Sequence, residues 1–187
     1  MEQELASMAR LPPHPNIVPC VGLGWKQEGE QADVHLAHEL VRAPSLSALY
    51  LSQGKSPSLD LLRAICQGIL AALGHLHASD MVHRDLRDSS VFLEPDGRTR
   101  VADAGLDWRL REAFLETNPG RESIKGRLPA APGRRGKKAD VWRLGAIALS
   151  LSQAMLVEEQ YPNIPKSLPP SLQDFLAHCL DRDERNR

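Results

Sequence analysis

His83-Arg84-Asp85-Leu86-Arg87-Asp88-Ser89-Ser90, followed directly by the apolar run Val91-Phe92-Leu93, is the stretch whose reading decides the fold. Pro95-Asp96-Gly97 then marks a turn into a second short run, Arg100-Val101-Ala102, and Asp103-Ala104-Gly105 follows at once. Two acid-bearing turns thus flank one predicted β-hairpin. Upstream, Leu62, Ile65, Ile69, Leu73 and Leu76 keep helical spacing, predicting a helix over 58–77. Leu59, Leu61, Leu70 and Ala71 broaden its apolar stripe, which predicts a buried helix. Downstream, residues 107–137 have no sustained period, and a second apolar helix is predicted over 138–153, with Val141, Leu144, Ile147 and Leu151 on one face.

Further out, Leu5, Met8 and Leu11 predict an amphipathic helix over 2–11, ended by Leu11-Pro12-Pro13-His14-Pro15 because proline fixes φ and removes a donor. Strands are expected over 17–25 and 33–41, a short helical stretch over 46–51, a proline-rich loop over 161–170 and a last helix over 172–180. The 187 residues are 42% apolar and 25% charged, the composition of an ordinary globular domain. Lys+Arg count 23 and Asp+Glu 24, so the basic excess of a general nucleic-acid binder is absent. Cys20, Cys66 and Cys179 are widely spaced and odd in number, which argues against a disulfide framework and for a reducing compartment, with Cys66 and Cys179 expected as buried thiols on helix faces. No apolar run approaches the roughly 18 residues of a membrane span. The start lacks the apolar centre of a signal peptide.

The chemistry of the central stretch is specific in its order. Phosphoryl transfer needs a carboxylate to orient a hydroxyl and accept its proton, and oxygen ligands for metal, all converging on one point. Leu76-His77, Val82-His83-Arg84-Asp85, the hairpin, Asp103-Ala104-Gly105, a long loop and Asp140-Val141-Trp142-Arg143-Leu144-Gly145 occur in the order seen in protein kinases. His14-Pro15-Asn16-Ile17-Val18 resembles the turn after a kinase regulatory helix. The chain therefore resembles the protein-kinase superfamily over essentially its whole length. The resemblance implies an α+β fold: a partial N-lobe over 1–42 (regulatory helix and two strands), then a mainly helical C-lobe over 43–187 without the substrate-platform helix or the final helix.

Position by position, the resemblance implies Asp85 as catalytic base, Arg84 as anchor for the activation segment, and Arg87 in place of the catalytic-loop Lys. It implies Asp103 and Ser90 as metal ligands, Glu39, Leu40 and Val41 as the hinge that meets a nucleotide, and Glu4 as the regulatory-helix acid. Asp140 would brace the catalytic-loop backbone, and Arg187 would pair with an acid ending the activation segment.

Departures from the pattern weigh on function. A glycine-rich phosphate loop and its strand Lys are not found in the sequence. Ser90 stands where Asn is usual. Ala104 replaces a core Phe, a change that would cost about 3–5 kcal/mol in a packed site unless neighbours such as Met8 and Leu23 fill the gap. Ala131-Pro132-Gly133 lacks the acid that Arg187 would meet. The segments Lys137–Gly145, Leu149-Ser150-Leu151-Ser152-Gln153, Tyr161-Pro162, Ile164-Pro165, Leu168-Pro169 and Gln173-Asp174-Phe175 look like the pseudokinase domain of the general control nonderepressible kinases, which act on eukaryotic translation initiation factor 2 alpha in amino-acid starvation. That family's pseudokinase usually lacks the full His-Arg-Asp, which is complete here.

The expectation is a cytoplasmic regulatory module that supports activation of an adjacent kinase domain in the same polypeptide, with homodimerisation through the full-length protein. The alternatives are a weak Ser/Thr kinase using ATP and Mg²⁺, or a fragment of one. No membrane or DNA partner is expected. The basic cluster Arg134, Arg135, Lys137 and Lys138 reads first as a solvated loop, with an acidic partner or RNA contact as the lesser reading. Thr117 and Ser123 stand as candidate phosphosites with Arg84 or Arg121 as partners. His83 reads as a core residue, and His75-x-His77 as a helix end before a metal site.

Overall fold

The computed structural model describes residues 11–28, 31–102 and 136–187. The predicted helix over 2–11, Glu4, the segment 103–135 with Asp103, Ala104, Thr117, Arg121, Ser123, Gly133, Arg134 and Arg135, and the side chain of Leu23 lie outside the described residues.

The largest element is helix α2, Leu59–Ala78. Short helix α1, Leu46–Leu49, precedes it, with a 3-10 turn at Leu51–Gln53 between them. The Ser58 hydroxyl accepts the Leu61 N–H and Asp60 lies in the first turn, so the N-terminus is capped and its dipole complemented. Leu62, Ile65, Ile69, Ala72, Leu73 and Leu76 line the buried face. The stripe is not buried all round, however: Leu59 and Leu70 are 38% and 43% exposed, and Ala71 is exposed too. A broad apolar stripe predicted full burial, and the structure gives a single buried face with an apolar shoulder. By length and composition α2 could also cross a membrane, contrary to the sequence expectation. It is instead a core helix whose buried face meets the rest of the hydrophobic cluster.

Helix α3, Lys137–Gln153, crosses that core. Trp142, Leu144, Ala146, Ile147, Ala148, Leu149 and Leu151 are buried on several faces, a wider burial than the one face expected, while Val141 is only half-buried. Such a helix must leave no polar group idle. Ser150 meets that demand, donating to the Ala146 carbonyl at 2.8 Å and accepting the Val157 N–H at 3.0 Å. Helix α4, Pro170–Cys179, buries Leu172, Leu176 and Cys179 in the same cluster, Cys179 lying against Gly145 of α3. Burial pushes the Cys66 thiol up to about 12, with Cys179 adding to the effect, and burial pushes Cys179 up to about 11, so both behave as small apolar groups.

Strands β1, Cys20–Glu28, and β2, Gln31–His38, form an antiparallel ribbon. Strands β3, Val91–Leu93, and β4, Thr99–Val101, form the predicted hairpin, with Gly97 in the left-handed region at φ 86°. The chain at 14–18 docks on that hairpin. Val18 N–H donates to the Val101 carbonyl and Val101 N–H to the Asn16 carbonyl, both at 2.9 Å. Asn16 Nδ2 donates to the Thr99 carbonyl at 2.7 Å. A bidentate ion pair from Arg100 to Glu39, at 2.6 and 3.1 Å, links the hairpin to the end of β2.

The tightest helix contact is at Gly145, where an added Cβ would lie 2.6 Å from Cys179 Cβ and 3.0 Å from Leu180 Cγ. Gly145→Ala therefore forces α3 and α4 apart and is expected to cost about 1–3 kcal/mol, at about 2–4 °C of melting temperature per kcal/mol. Gly74→Ala, on α2 with nothing within 4 Å, is expected to be neutral or stabilising. Thermal melts followed by circular dichroism check the pair.

Candidate functional site

The site is built where α2 ends and α3 begins. Asp80 turns the chain out of α2 with φ 54°, and Met81 N–H donates to the Leu76 carbonyl at 2.9 Å. Lys137, at the start of α3, donates to the His77 carbonyl at 2.7 Å and to Asp80 at 3.0 Å, so the start of one helix closes the end of the other. The chain then enters residues 83–90, anchored by the fully buried Leu86.

Asp140, itself fully buried, holds that loop. Its carboxylate accepts the backbone N–H of His83 and of Arg84, each at 2.9 Å, and the His77 Nε2–H at 2.8 Å. Three donors on one carboxylate are what a buried charge needs. They also hold Arg84 at φ 65°, a left-handed conformation that a non-glycine residue adopts at a cost of about 1–2 kcal/mol. His83 is equally buried and donates from Nε2 to the Ala102 carbonyl at 3.0 Å. Ala102 N–H donates to the Ser90 carbonyl at 2.8 Å. The loop and the exit of β4 are thus fixed to each other immediately before Asp103.

Asp85 is 6% exposed and meets two guanidiniums: Arg87 Nη2 at 3.1 Å and Arg143 Nη1 at 3.9 Å. Arg143 had no role in the sequence reading. A cation one turn beyond Asp140, among the apolar residues of α3, was the signal that could have found it. Ser90 turns inward. Its hydroxyl donates to the Arg87 carbonyl at 2.9 Å and accepts the Arg87 N–H at 3.0 Å, and the residue is 2% exposed. Asp88, also 2% exposed, leaves Oδ2 without a hydrogen-bond partner among the described residues.

A model of the protein kinase domain matches residues 1–187. The chain belongs to the protein kinase family. Among curated relatives, "eIF-2-alpha kinase GCN2" of Rattus norvegicus is 34% identical over 186 residues, covering 100% of this chain and 11% of that protein. The Homo sapiens protein of the same name is 33% identical over the same coverage. "Mitogen-activated protein kinase kinase kinase YODA" of Arabidopsis thaliana is 27% identical over 207 residues, covering 99% of this chain and 22% of that protein. The chain thus spans about a tenth of the length of the first two relatives.

Residues 83–90, where the family resemblance expects the catalytic loop, are the loop held by Asp140. The hinge candidates sit in the connection from β2 to α1. Glu39 pairs with Arg100, which holds its carboxyl below the usual carboxylate range. Leu40 is 74% exposed and Val41 half-buried. Arg187 donates to the Asp181 carbonyl at 2.7 Å. The two histidines of His75-x-His77 go to different partners. His75 Nε2 donates to the Pro12 carbonyl at 2.8 Å and stacks on His14 at 4.7 Å between ring centroids, while His77 serves Asp140.

Removing the Asp140 carboxylate orphans two buried N–H groups. Asp140→Ala is expected to cost about 3 kcal/mol or more, read from urea unfolding. Burial is the largest influence on His83 and holds its pKa below 6.5, and His14 shifts the same way. The unfolded chain therefore takes up protons first, and stability present above about pH 6.5 is lost as pH falls. His83→Gln keeps a donor for the Ala102 carbonyl without titrating, so its melting temperature should fall less than wild type between pH 7.5 and 5.5.

Proposed function

We propose that this kinase domain works as a regulatory module of the pseudokinase type. It binds an adjacent Ser/Thr kinase domain of the same polypeptide and biases that domain toward its active state, in cytoplasmic control of translation during amino-acid starvation. Full-length chains would pair as homodimers. The observation that carries this reading is the inward turn of Ser90. Where a metal ligand would have to reach outward, a short hydroxyl is engaged on both sides with the Arg87 backbone. Asp85 supports it, because a substrate hydroxyl would have to share that carboxylate with Arg87 and Arg143. The likeness to the GCN2 kinases supplies the pathway.

A second reading, a weak protein kinase using ATP and Mg²⁺, is favoured by one observation. The backbone of His83 and Arg84 is held on Asp140, so the loop that carries Asp85 is ordered. Here Asp85 would be the base and Asp103, with any help from Ser90, the metal ligand.

One experiment separates the readings. The purified module is mixed with the kinase domain of a GCN2-type kinase, and phosphorylation of the initiation factor alpha subunit is timed. The regulatory reading expects binding and a several-fold rise in rate that survives Asp85→Ala; no binding and no change would sink it. The enzymatic reading expects a thermal shift with ATP and Mg²⁺, and transfer abolished by Asp85→Ala and Asp103→Ala.

A further inference from the structure

The connection from α3 to α4 makes a surface that neither the catalytic loop nor the core explains. Ala154 ends α3 with φ 53°, and its N–H and that of Met155 close back on the last turn, Met155 donating to the Ser150 carbonyl at 3.0 Å. Val157 N–H is fixed on the Ser150 hydroxyl at 3.0 Å and its side chain is buried. Farther on, Gln173 Nε2 donates to the Leu168 carbonyl at 2.6 Å and the Lys166 carbonyl at 3.1 Å, and Leu168 N–H to the Pro165 carbonyl at 3.2 Å. The loop is pinned at both ends, and Pro162 and Pro165 stiffen its middle.

That fixed backbone holds apolar groups in water. Met155 is 65% exposed; Tyr161, 47% exposed, lies outside the cavity, with the Arg182 guanidinium 5.0 Å over its ring. Leu149, Met155, Leu156, Val157, Pro162 and Pro165 line a cavity of about 620 Å³. Glu158 and Glu159 line the same cavity, both are exposed, and neither has an ion-pair partner among the described residues. Gln153 and Asn163 also line the cavity, so its wall is half polar and half apolar, and the apolar half around Met155, Leu156 and Pro162 can take an apolar side chain. Two adjacent carboxylates at its rim, without an ion-pair partner among the described residues, explain a preference for positive charge beside it.

We propose that this rim docks a basic amphipathic segment of a protein partner, with an apolar side chain entering the cavity and flanking Lys or Arg residues meeting Glu158 and Glu159. Because the rim is already ordered, binding does not have to arrange it first. The inference rests on and deepens the regulatory reading, since it gives the module a docking face.

The test uses amide chemical-shift mapping with a capped Lys-Lys-Leu-Lys-Lys peptide as probe. Glu-Glu-Leu-Glu-Glu and Lys-Lys-Ser-Lys-Lys peptides are the controls for charge and for the apolar side chain. Shifts confined to residues 155–165, weakening in high salt, are expected from the first peptide. Both controls, Glu158→Lys with Glu159→Lys, and Met155→Asp should each weaken binding about tenfold or more. These side chains are exposed, so the variants should keep the wild-type melting temperature. Shifts elsewhere, equal binding of the acidic peptide, or an unchanged affinity in the charge-reversed variant would overturn the proposal. Self-association through this rim, seen by sedimentation and lost in the same variant, would replace the partner with a second copy of this chain and also overturn it. Stimulation of the kinase domain keeps the two failures apart. A wild-type module that does not stimulate removes the regulatory reading. A charge-reversed module that stimulates as well as wild type removes the rim assignment alone.

Discussion

A single carboxylate, that of Asp140, sits where the two main helices and the loop over 83–90 meet. It is fully buried, and a charge so placed is tolerable only with several donors on it. The donors come from three positions along the chain before α3: His77 near the end of α2, and the backbone of His83 and Arg84 beyond it. Satisfying Asp140 therefore fixes the α2 terminus, the start of α3 and the left-handed turn at Arg84 together. Local backbone preference opposes that turn, and the tertiary acceptor helps offset its cost.

From that point the constraint passes outward through polar contacts. His83 reaches the Ala102 carbonyl, and β4 then receives the chain at 14–18 through Asn16 and Val18 and receives Glu39 through Arg100. Thr99 packs against α2 where Gly68 leaves room, an added Cβ there lying 2.7 Å from Thr99 Cβ. The hairpin is thus a junction between the chain before β1, the end of β2 and the helical core. A hairpin of three-residue strands has little stability of its own and depends on these contacts.

The parts of this arrangement that were legible in the sequence are those governed by spacing. Apolar periodicity placed α2, α3 and α4 to within a residue or two, and the order His83-Arg84-Asp85, hairpin, Asp140 carried the family. Side-chain direction was not legible, because it depends on neighbours distant in the chain. Ser90 could have faced a metal or its own loop, and the sequence does not choose. Glu39 read as a hinge acid, yet its partner Arg100 lies 61 positions away. Arg143 looked like one more polar residue in the first turns of α3, after Lys137, Lys138 and Asp140, and only the fold brings it beside Asp85. Leu59 and Leu70 belonged to the broad stripe, and only the packing of α2 shows that they stay at the surface.

The same distinction bears on what a kinase fold needs for regulation as opposed to catalysis. Catalysis depends on a few atoms converging within fractions of an ångström, so an inward hydroxyl at Ser90, if that is where a metal ligand is needed, would weaken it directly. Binding a partner depends on a surface held steady, and under the regulatory proposal the contacts present here would serve that end. Asp140, His83 and Ser90 all stabilise backbone, and each does so without exposing a reactive group. Ser150 repeats the pattern at the other end of α3, where one hydroxyl fixes the chain that presents Met155 and Glu158. A chain could therefore lose its reactive geometry while keeping every contact that holds its shape, and selection on a regulatory surface would retain those contacts.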